Sequence, residues 1–389
     1  MKTHLFFLAI LFSFAFSKVN AQCPSGDVDI INQSQLNSFV AFYPNCTHIT
    51  GRLWLGEFLS GHNDINDLSG LSNLTKIDGQ LGFFGTNLIS LNNLNNLQEI
   101  GGLNLADNPN LTSIAQLTNI TAITGNVQFG MNPQLTSLNG LNNVQSITGY
   151  LRLFYDNPNL TSFEALNNLT SVGNYVYILG TNAPSLEGLN NLTSVGEYLN
   201  IIGNENLSDI QALENLTSIG GYIIIENNPQ LISLQGIHNI DPETILSNGE
   251  LGLYIGANPI LTTCNLPNIC EYLSFDPTVN PREIIGNTGN CTDEQAVLAA
   301  CGLGVNDVEN ESTNWQVHYK KENNSFLVQS KGFEISDIQV YNLNGQLIKE
   351  FNGLNSNQEE ISVFSPDNIL ILKVISSDGK SFAKKVIIK

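Results

Sequence analysis

The chain has 389 residues and a formal net charge of −20, because 35 acidic residues outnumber 15 lysines and arginines. Such an acidic chain repels nucleic-acid phosphates and anionic membrane surfaces, so we expect neither as a partner. After residue 21 no apolar run approaches the about 20 residues that cross a bilayer, and no transmembrane segment is expected there.

The first 21 residues have the pattern of a secretory signal peptide. Lys2 precedes an apolar run over residues 5–16, and a Val-Asn-Ala ending at residue 21 suits signal peptidase. Cleavage at this point makes Gln22 the first residue of an exported chain. The alternative interpretation of the apolar run is a membrane anchor.

Six cysteines remain after residue 21, and an even number in an oxidising compartment favours disulfides. A Cys23–Cys46 bond is predicted to staple an N-terminal cap over residues 22–48. The other four are predicted to form two disulfides in a C-terminal cap over residues 265–304. Of their three possible pairings we favour Cys264–Cys291 with Cys270–Cys301. A zinc ion held by these four thiolates is the alternative, disfavoured because their spacing lacks closely spaced ligand pairs.

Residues 49–264 repeat one short phrase nine times, for example "IGGLNLADNPNLTSI" from Ile100 and "IGGYIIIENNPQLISL" from Ile219. The leucine after the Asn-Pro turn recurs in steps of 21 to 30 residues, at Leu111, Leu135, Leu160, Leu186, Leu207, Leu231 and Leu261. A period in the twenties is typical of a solenoid, in which each repeat forms one coil.

Each repeat contains a short strand in which apolar residues alternate, so one side of the strand faces the interior of the coil. Leu166, Leu169 and Val172 illustrate two further inward positions, which give the coil about three sides. The inward strand pairs are predicted to be Leu53/Leu55, Leu81/Phe83, Leu103/Leu105, Val127/Phe129, Leu151/Leu153, Val176/Ile178, Leu199/Ile201, Ile223/Ile225 and Leu253/Ile255.

An asparagine precedes the turn in most repeats, and side-chain amides repeated in register can bond the backbone of neighbouring coils. We interpret these residues as a structural ladder that does not contact a ligand. Its predicted members are Asn108, Asn132, Asn157, Asn204, Asn228 and Asn258. Several of the Asn-Leu-Thr sequons fall at fixed repeat positions and are weak evidence for glycosylation.

The outward side of the strands is the candidate binding surface. Four tyrosines occupy one register position in consecutive coils, so their rings should stack about 4.8 Å apart. The candidate ligand-binding residues are Tyr150, Arg152, Phe154, Tyr175, Tyr177, Tyr198, Asn200, Tyr222 and Ile224, with Trp54 and Phe84 outward on earlier coils. A large exposed apolar patch favours a partner, whereas the alternative is that the tyrosines only stabilise the sheet.

No cofactor, metal or catalytic site is predicted. The five histidines are scattered, and acidic pairs such as Asp27/Asp29 are interpreted as solvated loops in preference to weak Ca²⁺ sites. An enzyme acting on polysaccharides is the competing class, but the outward side shows no histidine and no evident carboxylate pair.

Residues 305–314 are polar and acidic and are interpreted as a linker. Residues 315–389 contain short apolar segments separated by turn signals, which predicts a small antiparallel β-sandwich. Its strands are predicted at residues 325–328, 335–341, 347–351, 360–363, 369–376 and 384–388.

Two resemblances follow from these segments. The phrase "GYLxIxxNPxLTSLxGLNNLTSVG" and its flanking cysteines, over residues 23–301, resemble the receptor L-domain of insulin- and epidermal-growth-factor-type receptors. Residues 325–389, with "ISDIQVYNLNGQLIKEF" and "NILILKVISSDGKSFAKKVIIK", resemble the sorting domain of the type IX secretion system of Bacteroidetes, although "NILIL" replaces the usual Gly-Ile-Tyr. The second resemblance implies passage across the outer membrane by the type IX machinery, followed by release or surface attachment.

The predicted fold is therefore all-β: a right-handed parallel β-solenoid, leucine-rich and L-domain-like, with disulfide caps and a C-terminal β-sandwich. The predicted function is recognition of a protein or glycan partner by a secreted or cell-surface protein. The alternatives are a glycan-binding surface protein of polysaccharide utilisation and, third, a β-solenoid enzyme that degrades polysaccharides.

Overall fold

The computed structural model describes residues 23–57, 63–154, 157–302, 315–320, 323–342, 346–363 and 369–387. The predicted signal peptide (1–21) and the predicted linker (305–314) lie outside the described residues. Two separate hydrophobic cores are present, one within residues 28–297 and the other within residues 315–386.

The first core is enclosed by a parallel β-solenoid, which confirms the predicted fold of the repeats. Its strands form one 17-stranded sheet. They are β1 Val28–Ile30, β2 His48–Ile49, β3 Leu53–Gly56, β4 Lys76–Phe84, β5 Glu99–Ala106, β6 Ala122–Ile123, β7 Val127–Gly130, β8 Ser146–Ile147, β9 Leu151–Phe154, β10 Ser171–Val172, β11 Val176–Leu179, β12 Ser194–Val195, β13 Leu199–Ile202, β14 Ser218–Ile219, β15 Ile223–Glu226, β16 Leu253–Gly256 and β17 Arg282–Ile285.

The strands lie in two adjacent columns. The longer strands form the main column, in which Val127 of β7 pairs with Leu103 of β5 on one side and Leu151 of β9 on the other. The two-residue strands form the second column one corner earlier in each coil, while β4 and β5 contribute to both. Every predicted inward residue of the main column is buried, at 0–1% exposure.

The main column extends beyond the nine repeats at both ends. In the N-terminal cap, β1 pairs in parallel with β3, and in the C-terminal cap β17 pairs in parallel with β16. These two strands were not predicted, because neither cap carries the repeated phrase. Each cap therefore adds one further rung to the main column, so β1 and β17 become its two end strands.

Short 3₁₀ turns complete many of the coils, a conformation that was not predicted. The further inward positions that were predicted are confirmed, because Leu166, Leu169 and Val172 are buried in the core. The 3₁₀ segments are Ser69–Leu71, Ala115–Leu117, Glu164–Leu166, Gln211–Leu213, Gln235–Ile237, Pro242–Thr244 and Gly289–Cys291.

Glycine recurs at the corner between the two strand columns because neighbouring coils approach very closely there. A Cβ atom at Gly173 would lie 2.0 Å from the carbonyl oxygen of Thr148, and one at Gly196 would lie 1.8 Å from that of Gly173. Both distances are shorter than any real contact, so a side chain at this position forces the coils apart.

The N-terminal cap contains helix α1, Gln33–Phe42, whose first turn is capped by the Asn32 side chain and whose Leu36 is buried in the core. The C-terminal cap contains α2, Pro267–Leu273, and α3, Glu294–Ala300. The disulfides are Cys23–Cys46, Cys264–Cys291 and Cys270–Cys301, so the favoured pairing is confirmed. The zinc alternative is wrong, because all six sulfurs are in disulfide bonds.

Buried asparagines connect the coils at the turn that follows the main column. Asn204 is representative: its Nδ2 donates to the Ile178 and Ile202 carbonyl oxygens, while its Oδ1 accepts from Thr181 N and Thr181 Oγ1 at 3.0 and 2.9 Å. Nδ2–Oδ1 bonds join neighbouring asparagines, with distances of 3.1–3.4 Å for 108–132, 132–157, 204–228, 228–258 and 258–287. Asn287, Thr86 and Thr181 belong to this ladder although the repeat pattern did not reveal them.

A second asparagine ladder runs along the surface at the Asn-Asn-Leu phrase, and it was also not predicted. Asn168, Asn191 and Asn215 donate through Nδ2 to carbonyl oxygens of the preceding coil, each at 2.6 Å. These are sequon asparagines, and the nitrogen that a glycan would modify is already used to hold two coils together.

The C-terminal strands form two antiparallel sheets that contribute to one core, which confirms the predicted sandwich. One sheet contains β18 Trp315–Lys320, β19 Ser325–Ser330 and β22 Gln358–Ser362; the other contains β20 Ile335–Tyr341, β21 Leu347–Ser356, β23 Ile369–Ser376 and β24 Ser381–Ile387. Strand β18 was not predicted. Strand β21 is five residues longer than predicted, because it has few buried side chains and so lacks a clear apolar pattern.

Candidate recognition face

The outward side of the main strand column, called the outer face below, carries the candidate site. Tyr150, Tyr175, Tyr198 and Tyr222 immediately precede β9, β11, β13 and β15, and we refer to them as the tyrosine stack. Successive ring centroids are 4.6, 4.4 and 4.6 Å apart, with interplanar angles of 12°, 7° and 9°. The rungs of the sheet therefore hold four phenol rings parallel to one another, at about the spacing of the strands.

The tyrosine rings are half-buried, because each ring covers its neighbours while its outer part remains accessible. Burial raises the pKa of Tyr175, Tyr198 and Tyr222 above the usual value of a phenol, and at Tyr198 the neighbouring phenols on both sides add to the effect. Tyr175, Tyr198 and Tyr222 are therefore uncharged at neutral pH, and the stack offers flat apolar surface with hydroxyl groups attached.

A second outward column runs beside the stack. Arg152, Tyr177, Asn200, Ile224 and Tyr254 are paired in register along β9, β11, β13, β15 and β16. The guanidinium carbon of Arg152 lies 5.5 Å from the centroid of the Tyr177 ring, so the cation contacts the aromatic surface. The structure thus brings most of the predicted candidate residues together on one continuous surface.

Two of the predicted contact residues are largely covered, and for these the expected exposure is wrong. Phe154 is 7% exposed because its ring lies over Gly130 on the neighbouring strand, where a Cβ atom would lie 2.5 Å from the ring, and Arg152 lies above it at 4.3 Å. Asn200 is 6% exposed, and its Oδ1 has no hydrogen-bond partner. Alternation correctly places both side chains outward, but the larger neighbouring side chains cover them.

The N-terminal half of the outer face contains a depression that sequence reasoning did not identify. Its volume is about 400 Å³. We call it the tryptophan depression; it is lined by Asp29, Ile31, Trp54, Gly56, Glu57, Phe84, Asn104, Ala106 and Gln128. The sequence signal that could have revealed this depression is the presence of small residues at outward positions. Gly56, Gly82 and Ala106 occupy register positions at which later coils carry large side chains.

A polar network links the depression to the tyrosine stack. Tyr150 donates its hydroxyl to Gln128 Oε1 at 3.3 Å, and Gln128 Nε2 donates to Asn104 Oδ1 at 3.4 Å. Both amides are half-buried on the strands next to the depression. The two parts of the outer face are therefore one connected surface.

The carboxylates of Asp27 and Asp29, at the N-terminal end of this surface, are paired with Arg52, and that of Asp67 is held in a turn. Arg52 donates to both oxygens of Asp29 at 3.0 and 2.8 Å, and the hydrogen bond lowers the pKa of the Asp29 carboxyl. Arg52 also pairs with Asp27 at 3.3 Å, and Asp67 caps the turn at Ser69. Within the described ranges, no group of three or more histidine, cysteine, aspartate or glutamate side chains is arranged to hold a metal ion.

The coil geometry and the outer face define a leucine-rich, L-domain-like parallel solenoid. Residues 45–135 match the Receptor L domain family, and residues 151–245 match the BspA type leucine-rich repeat region in six copies. Both matches support a repeat-based binding protein without indicating a partner. No curated protein matches the chain.

Residues 303–388 match a domain of unknown function (DUF8694), and this match indicates no activity for the C-terminal sandwich. In the part of the chain that the structure describes, no helix is both long and apolar enough to cross a membrane. The three disulfides are consistent with an extracellular protein.

Proposed function

We propose that this chain is a secreted or cell-surface binding protein that recognises a protein or glycan partner through the outer face of its solenoid. The observation that carries the proposal is the tyrosine stack, four half-exposed parallel rings beside Arg152, Tyr177 and Ile224. Exposed aromatic and apolar surfaces of this kind are typical of interaction sites.

The rigidity of the outer face supports binding. Its strands are hydrogen-bonded on both sides and sit on a core in which Ile178, Leu199 and Ile201 are fully buried. A side chain that is already fixed before binding loses little conformational entropy when a partner arrives. Tyrosine adds large contact area for few rotatable bonds, which is why binding sites use it often.

A double substitution tests the proposal directly. Tyr175→Ser with Tyr198→Ser removes the two central rings, and we expect at least a tenfold loss of affinity for any partner found with the unmodified chain on protein and glycan arrays. The stability cost should be small, since cross-strand pairs contribute about 0.2–1 kcal/mol each. Affinity is measured by titration and stability by thermal unfolding.

The matched control is Ile89→Ser with Ile232→Ser, which removes two apolar side chains that are 67% and 57% exposed and lie at turns away from the strands. This control should bind as the unmodified chain does. Unchanged affinity in the tyrosine double variant, accompanied by a much lower melting temperature, would show that the stack is only structural.

The second candidate function is binding of glycans for polysaccharide utilisation, and the tryptophan depression favours it. Catalysis on such glycans is a third and weaker candidate. Asp29, one of the two carboxylates that line the depression and the register partner of Trp54, is paired with Arg52, so it is poorly suited to act as a base. An assay for released oligosaccharides distinguishes binding from cleavage.

We further propose that the C-terminal sandwich directs export through the type IX secretion machinery. Support comes from the resemblance of residues 325–389 to that sorting domain and from the two-sheet sandwich that this segment forms with β18. After export the chain is released or attached to the outer-membrane surface.

A further inference from the structure

The tryptophan depression is a built feature of the outer face. Gly82 lies between the rings of Trp54 and Phe84, and a Cβ atom there would be 2.7 Å from the first and 2.6 Å from the second. Any larger residue at this position would displace the two rings. The volume of about 400 Å³ falls within the range of about 300–1,000 Å³ that is usual for small-molecule sites.

The aromatic wall is held in place from several directions. Arg52 lies 3.9 Å from the Trp54 ring centroid, Phe84 packs edge-on against Trp54 at 5.3 Å, and the indole Nε1 donates to Gln80 Oε1 at 3.2 Å. Because the indole is fixed before a ligand arrives, a ligand that contacts it does not have to order it.

Polar groups lie around this apolar wall. Asn104 and Gln128 bring amides from β5 and β7, and Asp29 brings a carboxylate from β1. A carboxylate has about four acceptor positions, and Arg52 uses two of its lone pairs, so Asp29 can still accept bonds from a ligand. The depression thus combines a flat apolar wall with acceptors at its margin.

Charge limits the class of ligand. From Gln22 to residue 304 the chain has four basic residues and 24 acidic ones, a net charge of 4 − 24 = −20. Arg52, which lies against Trp54, is already paired with Asp27 and Asp29, and Arg152, on the strand next to Gln128, lies over the Phe154 ring. Anionic ligands such as uronic-acid polymers are therefore repelled. A purely hydrocarbon ligand would leave the amides of Asn104 and Gln128 without partners on the ligand.

We infer that the tryptophan depression is a binding site for a neutral saccharide, whose C–H faces pack against Trp54 and whose hydroxyls donate to Asp29, Asn104 and Gln128. This inference rests on the proposed function, because it places a ligand class on the same outer face. Neutral sugars are the ligands that offer both apolar faces and many hydroxyl donors on one ring.

The chain contains two tryptophans, Trp54 and Trp315, so Trp315→Phe makes Trp54 the single fluorescent reporter of the depression. The full exported chain with this substitution is titrated with neutral gluco- and manno-oligosaccharides, and with oligogalacturonate as the anionic comparison. We expect a saturable change in Trp54 emission with at least one neutral oligosaccharide and none with oligogalacturonate. Adding Asn104→Ala should weaken binding by about tenfold.

The matched control is Tyr254→Ala, which removes an outward aromatic residue from the same register column at the other end of the sheet. It should leave the titration unchanged, and thermal unfolding verifies that each variant is folded. The inference is overturned if no neutral oligosaccharide gives a saturable response, if oligogalacturonate binds as tightly, or if Asn104→Ala has no effect on affinity.

The tyrosine double variant separates this inference from the proposed function. Tyr175→Ser with Tyr198→Ser leaves every lining residue of the depression in place, so the saccharide response should persist in it. Loss of array binding in that variant, together with a failed saccharide titration of the Trp315→Phe chain, rejects the saccharide site alone. Unchanged array binding in the double variant rejects the tyrosine stack as the site.

Discussion

At the residue scale, the buried asparagines are the side chains on which the stacking of the coils most depends. Asn204 makes three bonds through Nδ2 and two through Oδ1, and it is completely buried. Each of these bonds satisfies a polar group that water cannot reach, so the loss of the amide leaves several groups unpaired at once.

We therefore predict that Asn204→Ala destabilises the solenoid by about 3 kcal/mol, since each unsatisfied buried group costs about 1–3 kcal/mol. This corresponds to a fall in melting temperature of about 4–5 °C for a chain of this size, measured by calorimetry. The comparison is Asn191→Ala, whose exposed amide makes one bond to the Asn167 carbonyl oxygen. An equal fall in the two variants contradicts the ladder as the main polar link between coils.

For the outward residues, the sequence predicts the direction of each side chain but not its exposure. The alternation of side chains correctly placed Tyr175, Tyr198, Phe154 and Asn200 on one side of the strands. It did not show that Phe154 folds over Gly130 and beneath Arg152, because ring orientation depends on which neighbours leave space. The tryptophan depression was missed for the same reason, since a cavity is defined by atoms from several strands.

At the element scale, the caps differ from the repeats in how they are held together. The C-terminal cap is organised around Arg282, whose side chain is 5% exposed. Its guanidinium donates to Glu294 Oε1 at 2.9 Å and to the carbonyl oxygens of Phe275 and Leu273 at 3.0 and 2.9 Å. One arginine thus joins α2, α3 and the last rung of the sheet.

Substitution of this arginine tests the role of the cap. Arg282→Met should destabilise the chain by about 3–5 kcal/mol, because the Glu294 carboxylate and the carbonyl oxygens of three residues lose their partner. Hydrogen exchange should show that protection is lost first at β16 and β17. Arg152→Met, at a half-exposed arginine with ring contacts, is the control and should cost about 1 kcal/mol or less. If β16 keeps its protection in Arg282→Met, the cap does not depend on this network.

The disulfides support the same caps by a different mechanism. Cys264–Cys291 and Cys270–Cys301 close segments of 27 and 31 residues, and each closure is worth about 3–4 kcal/mol in the chain-entropy model. The sequence indicated both bonds because the even number of cysteines implied pairing and their position after the repeats implied a cap. The helices α1, α2 and α3 and the rungs β1 and β17 were not foreseen, since nothing in the cap sequences repeats.

At the scale of the whole molecule, charge is divided unevenly between the two folded regions, for which we propose different functions. The solenoid region holds four of the bases and 24 of the acids, whereas the nine lysines from residue 305 onward nearly balance eleven acids. This difference agrees with two separate roles, a binding solenoid and an export domain.

The export proposal is tested on the whole protein in a bacterium that has the type IX machinery. Deletion of residues 315–389, which removes the complete sandwich including β18, should trap the chain in the periplasm, as measured by surface labelling and cell fractionation. The control is Tyr175→Ser with Tyr198→Ser in the full chain, which should reach the surface normally. Normal surface display of the truncated chain would remove the sorting assignment.

The sequence by itself determined the solenoid, its inward residues, the disulfide caps and the register of the tyrosine stack. These depend on two periods, one of two residues along a strand and one of about two dozen along the chain, and both are visible in one dimension. The tertiary structure alone decided the rungs contributed by the caps, the surface asparagine ladder, the covering of Phe154 and Asn200, and the tryptophan depression. Each of these arises from atoms of neighbouring coils that meet in space, and no single repeat contains that information.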